Sequence, residues 1–436
     1  MADRTERVVR RLGAGGSAVD WRIMSGRYWV ETLGCPKNQV DSEKLAGTLT
    51  ADGMSQAASA EDADVVVVNT CAFIEAARQE SVDTVLALAD VKAEGARLVV
   101  AGCMAERYGD ELAAALPEVD LVAGFGVPVT IGTRRDAARL DLLNLPRPPA
   151  AAPWAYVKIA EGCDRTCGFC AIPSFRGPQR SRPADAILGE VDDLGAVEIV
   201  LVAQDLASYG KDVPGMGAGS IVSLVEAVAA RVLRTRLLYL YPSDLTDALV
   251  DAIGATGVPY FDLSLQHVSK PLLRRMRRWG DGDRFLRRIA SIRARFPDAA
   301  FRTNFIVGYP GETEADHDQL LRFLDAAQVD WCGFFAYSRE DGTHAAGLDG
   351  AVPPSLVRER LAEVGELQDR ITAARRQSLI GHTLEVLVDR PGVGRSHWEA
   401  PEIDGIVGIP GELETGTVAK VQVTGAEGPD LEARAL

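Results

Sequence analysis

Eight residues constrain this chain more than any others: Cys163-Asp164-Arg165-Thr166-Cys167-Gly168-Phe169-Cys170. Thiols spaced C-x3-C-x2-C must point into one small volume. Asp164, Thr166 and Gly168 suit a tight loop whose backbone N–H groups can face an anion. A structural zinc site needs a fourth ligand, usually from a paired C-x2-C or His partner. The five histidines, His267, His317, His344, His382 and His397, are remote in sequence and lack that spacing. Packing or disulfide roles fit so tight a loop poorly. Cysteine thiolates hold [4Fe-4S] cubes, and three ligands to four irons leave one iron open. The loop therefore predicts a reactive cluster that can take a further ligand.

At 436 residues the chain has length for about three domains. No apolar run approaches the roughly 20 residues that span a bilayer, and the start lacks the apolar stretch of a secretory signal. No membrane role is expected. Seven cysteines, an odd number, point to a reducing, cytoplasmic setting and to cofactor ligation. A net charge of −15 argues against broad attraction to nucleic acid and suits a basic partner.

Residues 1–27, with Arg4, Arg7, Arg10, Arg11 and the small-residue run Gly13 to Ala18, read as a flexible extension. Residues 28–144 read as an α/β domain. Apolar runs at Tyr28–Leu33, Asp64–Val68, Leu98–Ala101 and Leu121–Ala123 alternate with helical patterns at Asp41–Leu49, Glu75–Ala89 and Glu106–Leu116. That alternation predicts a parallel sheet covered on both faces. Cys35, Cys71 and Cys103 follow three of these strands, and parallel strands bring their carboxyl ends to one edge. Any one of them alone reads as a small buried hydrophobe. Three at equivalent strand ends predict a second [4Fe-4S] cluster, again with an open iron.

Residues 145–153 form a proline-rich, stiff linker. Residues 154–376 carry six strand candidates, each followed by a helical pattern: Ala155–Ile159, Glu198–Val202, Leu237–Tyr241, Phe261–Leu265, Phe301–Val307 and Trp331–Ala336. They predict an open, partial (β/α)6 barrel with its functional groups at the strand carboxyl ends. His267 reads equally as a general base or a hydrogen-bonded structural residue, and Cys332 as core. Lys270, Arg274, Arg275, Arg277, Arg278, Arg284, Arg287 and Arg288 read as a solvated helix face, with contact to a substrate or acidic partner as the second reading. A charged helix, Ser355–Arg376, leads out of the barrel. Residues 377–436, with short strands at Leu384–Val388, Ile406–Ile409, Val418–Val423 and Leu431–Arg434, predict a small β-barrel. It holds ten acidic and four basic residues, a poor surface for phosphate.

The chain from about Tyr28 to Leu436 resembles the radical S-adenosylmethionine (SAM) methylthiotransferase family. The resemblance is carried by C-x3-C-x-aromatic-C with Ala171-Ile172-Pro173, Arg176-Gly177 and Ser181-Arg182. Leu33-Gly34-Cys35-Pro36-Lys37-Asn38, Asn69-Thr70-Cys71, Ala101-Gly102-Cys103, Tyr337-Ser338-Arg339-Glu340-Asp341-Gly342-Thr343 and Ala400-Pro401-Glu402-Ile403-Asp404-Gly405 add to it. The C-terminal barrel is similar to a TRAM domain. The resemblance implies a SAM-chelating cluster on Cys163, Cys167 and Cys170, and a second cluster on Cys35, Cys71 and Cys103. It implies SAM contacts from Phe169, Gln204 and Gly308, with Gln204 at the methionine amino group and Gly308 near adenine. Asn304 stands where the family suggests Asp or Thr. The implied reaction takes hydrogen from the β-carbon of an aspartate in ribosomal protein S-twelve by a 5′-deoxyadenosyl radical and adds a methylthio group there. An external electron donor is implied. The alternatives are a tRNA adenosine methylthiotransferase and a non-catalytic Fe–S carrier; nucleic acid is not expected as substrate. Glu399, Glu402 and Asp404 are the expected contacts to the basic partner.

Overall fold

The computed structural model describes residues 26–127, 129, 141–217 and 219–436. Most of the expected flexible extension, residues 1–25, lies outside the described residues.

The first unit is a five-stranded, wholly parallel sheet. Its elements are β1 (Arg27–Thr32), α1 (Pro36–Ala51), β2 (Ser55–Gln56), β3 (Val65–Thr70), α2 (Glu75–Val91), β4 (Arg97–Gly102), α3 (Cys103–Ala115) and β5 (Leu121–Ala123). The strand order is β2-β1-β3-β4-β5. Every residue of β3 is buried, as four consecutive valines in a central strand require. The register sets Thr32 beside Asn69, and Asn69 and Thr70 beside Ala101 and Gly102. Three strands therefore end level, and the cysteines after them leave from one edge.

The linker does not float between units. The Arg147 side chain is buried and pairs with Glu43 (3.0 Å) and Glu190 (3.4 Å). Glu190 also meets Lys44 at 3.3 Å and Arg182 at 2.7 Å. These charges tie helix α1 to the second unit.

That unit begins with β6 (Trp154–Lys158), β7 (Ala160–Glu161), α4 (Ile172–Arg176), β8 (Arg180–Ser181) and α5 (Ala184–Leu194). It continues through β9 (Glu198–Val202), α6 (Ser220–Ala229), β10 (Arg234–Leu237), α7 (Asp247–Gly254), β11 (Tyr260–Gln266), α8 (Lys270–Arg275) and α9 (Gly282–Arg295). It closes with β12 (Ala300–Val307), α10 (Glu314–Ala327), β13 (Trp331–Ala336) and α11 (Pro354–Gln377). Two three-stranded parallel sheets, β6-β9-β10 and β11-β12-β13, meet through a single bridge between Leu240 and Leu263. This is the expected open six-stranded barrel.

The third strand differs from its expected position at Leu237–Tyr241. It lies at Arg234–Leu237 because Tyr239 turns into the left-handed region, with φ 65°. The Tyr239 N–H donates to the Asp262 carboxylate (2.9 Å) and the Leu240 N–H to the Asp262 carbonyl (2.9 Å), so the chain leaves β9 and joins β11. Arg234 and Arg236 hid the true strand, since a strand of buried arginines does not read as apolar.

The last unit, β14 (Thr383–Arg390), β15 (Val393–Arg395), β16 (Val407–Gly408), β17 (Val418–Glu427) and β18 (Asp430–Ala435), is a closed barrel. Strand β15 was not expected; three residues are too few for a period. This barrel shares one core with the second unit: Tyr156, Val200, Leu238, Tyr260 and Trp331 pack with Val386, Trp398, Val407 and Val421.

Polar clamps hold the same junction. Glu198 accepts from Arg236 at 2.8 Å and Arg395 at 3.0 Å, with all three side chains buried. Arg376 pairs with Glu399. Arg302 meets Asp404 at 3.3 Å, and the Tyr260 hydroxyl donates to Asp404 at 2.6 Å. Glu399 and Asp404 are therefore not the partner contacts expected from the sequence. Cations of the second unit neutralise them inside the junction, and only Glu402 of the three is exposed.

Burial pushes the Glu198 carboxyl up, but Arg395, Arg236 and Arg234 outweigh it and hold its pKa near about 2. The unfolded value is about 4.3. A depressed carboxyl contributes stability above its unfolded pKa and loses it as pH falls through the folded one. Glu198→Gln is expected to flatten the acid limb of stability between about pH 4 and 2. Glu198→Ala is expected to lose about 3–5 kcal/mol by leaving the buried Arg236 with no carboxylate and Arg395 with Asp389 alone. Denaturant unfolding of each variant across pH checks both.

Candidate functional site

Cys35 is the N-cap of α1, with Pro36 opening the helix. Cys71 directly follows β3, where its N–H donates to Ser81 Oγ (3.2 Å) and its carbonyl accepts from the same hydroxyl (3.1 Å). Cys103 opens α3. Gly34 sits at φ 94°, and a Cβ there would lie 2.8 Å from Cys71 Cβ. Only glycine lets these two segments approach so closely. Asn38 laces the strand ends by donating to the Leu33 (2.8 Å) and Thr70 (3.1 Å) carbonyls. Asn69 donates back to the Asn38 carbonyl (2.7 Å) and to Ser42 Oγ (2.9 Å).

The three thiols act on one another electrostatically. Burial raises Cys71 to about 12, and the charges of Cys35 and Cys103 add to it. Burial also raises Cys103. At Cys35 burial pushes upward too, but Lys37, Arg176 and the N–H groups of Asn38 and Lys37 prevail, and the net shift is downward.

The second triad lies on the loop that leaves β7. Gly162 is at φ 77°, with Pro178 O only 2.0 Å from where a Cβ would stand. The Cys163 N–H donates to Gly177 O (3.1 Å) and the Gly168 N–H to Met276 O (2.8 Å), while Gly168 O accepts from Ala345 N–H (2.8 Å). Arg278 donates to Cys167 Sγ at 3.4 Å, and the Arg165 N–H to Cys163 Sγ at 3.4 Å. The two guanidiniums lie 3.9 and 4.0 Å from the Tyr241 ring centroid. Arg165 also pairs with Asp205 (2.5 Å) and Asp244. Burial lifts Cys163 to about 11 and Cys170 to about 12. Arg278 belonged to the expected solvated face, as did Arg275. Both turn inward, Arg275 to the Pro310 (2.8 Å) and Asp349 (2.6 Å) carbonyls.

Arg176 ties the first triad to the segment that carries the second. It ends α4, six residues past Cys170, and its side chain reaches into the first unit. It donates to Cys103 Sγ (2.9 Å), Asn38 Oδ1 (2.9 Å) and Glu161 Oε1 (2.8 Å), and lies 3.5 Å from Asp41. Lys158 pairs with Asp41 and, at 2.7 Å, with Glu161. Gln204 donates to Glu161 at 2.7 Å, and its Oε1 is buried without a protein partner. A second unit also reaches the first at Glu340, which pairs with Arg78 (2.6 Å) and Arg107 (2.7 Å).

Among the described residues no three His, Cys, Asp or Glu side chains stand close enough for one shared metal ion. Ligands to a four-iron cube each hold a different iron, so they need not. All seven cysteines are free. Soft thiolate sets with neighbouring N–H and guanidinium donors fit an iron–sulfur cluster at each triad. The unpartnered Gln204 Oε1 fits a cationic amino group.

The remaining sequence candidates divide. Phe169 packs partly buried on the barrel core. Gly308 is at φ 82°, its N–H donates to Glu312 (2.6 Å), and a Cβ would lie 2.5 Å from Val357. Packing against α11 thus already demands glycine there. Asn304 Oδ1 is buried without a partner. His267 is fully buried, its Nδ1 accepts from Ser269 N–H (3.0 Å), and burial draws its pKa down to about 4. It is a neutral residue that holds a turn. Cys332 packs against the barrel core as expected.

Residues 27–124 match an uncharacterised protein family, UPF0004, residues 157–324 the radical SAM superfamily and residues 380–436 the TRAM domain. The ribosomal protein uS12 methylthiotransferase RimO of Salinispora tropica is 42% identical over 92% of this chain and 94% of its own length. The protein of the same name from Chloroflexus aurantiacus is 41% identical, over 94% of this chain and all of that one (100%). In fold the chain is similar to the radical SAM methyltransferase TsrM of Kitasatospora setae, with a TM-score of 0.50 and 13% identity, covering 82% of this chain and 91% of that one. Fold and matches together define a radical SAM enzyme with an appended TRAM domain. The chain belongs to the RimO family of methylthiotransferases, whose cofactors are SAM and [4Fe-4S] clusters.

Arg176→Ala would leave the Glu161 and Asp41 carboxylates with Lys158 as their one paired cation. A loss of about 3–5 kcal/mol is expected in thermal or denaturant unfolding. Arg176→Lys is expected to restore only part, because one ammonium cannot present a planar fork to four acceptors.

Proposed function

We propose that this chain adds a methylthio group to the β-carbon of an aspartate in ribosomal protein S-twelve, in the cytoplasm, with an external electron donor. The observation that carries the reading is Arg176, which binds the Cys103 thiol from the end of the helix that follows the other triad. A side chain that leaves the helix after one thiol triad and binds a thiol of the other suits a reaction needing two centres beside one substrate. The names of the relatives supply the substrate.

In this reading Cys163, Cys167 and Cys170 hold one [4Fe-4S] cluster, and Cys35, Cys71 and Cys103 hold the other. When bound, these cofactors supply reductive cleavage of SAM at the first and sulfur delivery at the second. The protein's own part is position and charge. Gln204, fixed through Nε2 by Glu161, offers its free Oε1 to the SAM amino group. Phe169, on the Cys163 loop, and Gly308, just past β12, are the further SAM contacts in this reading. Arg278 and Arg165 donate to the thiols of their triad and oppose its charge. Arg176 and the N-terminus of α1 do so at the other.

The acidic surface favours a protein substrate over RNA. RNA affinity comes largely from Lys and Arg that displace phosphate counterions. This chain carries −15 overall and its TRAM-like barrel −6. Its field attracts a basic ribosomal protein.

Anaerobic reconstitution is expected to give about eight irons per chain, from two four-iron clusters. The triple Cys163, Cys167, Cys170→Ala variant should keep about four and lose 5′-deoxyadenosine formation. The triple Cys35, Cys71, Cys103→Ala variant should still cleave SAM and yield no methylthio product. Iron analysis and product mass spectra read these outcomes. Methylthio transfer by the second variant would refute the two-cluster reading.

A further inference from the structure

Lys37 faces the Cys35 thiol as its main opposite charge and has no carboxylate partner of its own. It lies two residues past Cys35 in the first turn of α1 and is 8% exposed. Its ammonium sits 3.4 Å from the Tyr239 ring centroid, on the strand end where the barrel changes partners. Among the described residues the ammonium has no carboxylate ion pair and no hydrogen bond, although Asp262 acts on it and Asp41 lies one turn further along α1. Each is engaged elsewhere. Asp41 is held by Lys158 and Arg176. Glu161 is held by Lys158, Arg176 and Gln204. Asp262 accepts from Tyr239 N–H at 2.9 Å and faces Arg302 at 3.6 Å.

A lysine side chain nine-tenths buried, facing the Cys35 thiol but paired with no carboxylate, is costly. The Tyr239 face offsets only about 0.5–2 kcal/mol of that. An arriving anion would complete the pair, and the N-terminal end of α1 would favour it further. The position is at the seam of the two units. On one side is the Cys35 segment; on the other are strand ends of the barrel.

We propose that Lys37 binds the side-chain carboxylate of the substrate aspartate and so selects a carboxylate over a nucleobase. This rests on the functional reading above. The carbon to be modified is bonded directly to that carboxylate. An anchor two residues from Cys35 therefore holds the reacting carbon beside the first triad. No covalent step passes through Lys37; it is a binding residue.

The test is a binding cycle on the iron-loaded protein under anaerobic conditions. Calorimetry would compare ribosomal protein S-twelve with its variant carrying Asn at the target aspartate, on wild type, Lys37→Met and Lys37→Gln. Iron content of each variant is measured alongside. The wild type is expected to bind the Asp form at least tenfold more tightly, about 1.4 kcal/mol. Both Lys37 variants are expected to keep their iron and to bind the two forms alike, near the weaker affinity. Equal weakening toward both forms, or no weakening, would overturn the proposal, as would loss of iron in both variants. If the wild type binds neither form, the functional reading itself fails. If it binds and discriminates while Lys37→Met does so equally, only the role of Lys37 fails.

Discussion

The structure depends on a buried charge network at the seam of its first two units. Arg176, Lys158, Asp41, Glu161 and Gln204 come from separate segments and pair with one another, leaving Gln204 Oε1 free. Arg176 holds Glu161 well below the usual carboxylate range against the upward push of burial, with Lys158 helping. Such networks seldom add much net stability over apolar packing, but losing one member strands a charge. What this one fixes is geometry. Asp41 and Asn38 belong to the helix that Cys35 caps; Arg176 and Glu161 flank the other triad. The two thiol sets are thereby held in register.

A second layer of pairs supports that seam from outside. Glu340 bridges Arg78 and Arg107 across the units. Glu190 gathers Lys44, Arg147 and Arg182 around the linker. At the far end Glu198, Glu399 and Asp404 lock the C-terminal barrel onto the strands. These junctions hold more basic residues than acids, so they leave the chain's acidic excess to other groups. The field that reaches solvent comes from the rest, such as Glu402.

The sequence disclosed the repetitive parts. Valine-rich strands and helical periods gave the parallel sheet and the open barrel, and level strand ends made Cys35, Cys71 and Cys103 a candidate site. It disclosed less where polar residues are buried. Arg234 and Arg236 disguised β10; Arg275 and Arg278 read as surface; Glu399 and Asp404 read as a docking loop. In each case the partner is far along the chain, and no local pattern announces it. Arg176 was visible as part of a motif, but its reach to Cys103 was not. Lys37 carried one signal, a cation placed beside a candidate ligand at a helix start. That signal has no meaning until the neighbouring carboxylates are seen to be taken.

The central claim is that two cofactor sites at one seam act on an aspartate of a basic protein. The most direct measurement gives the reduced, reconstituted enzyme SAM, a sulfur source, ribosomal protein S-twelve and tRNA together. Each product is then digested for mass analysis. The account predicts a methylthio group on one aspartate of the S-twelve peptide and unmodified tRNA. A methylthio group on an adenosine, with the aspartate peptide unchanged, would contradict it.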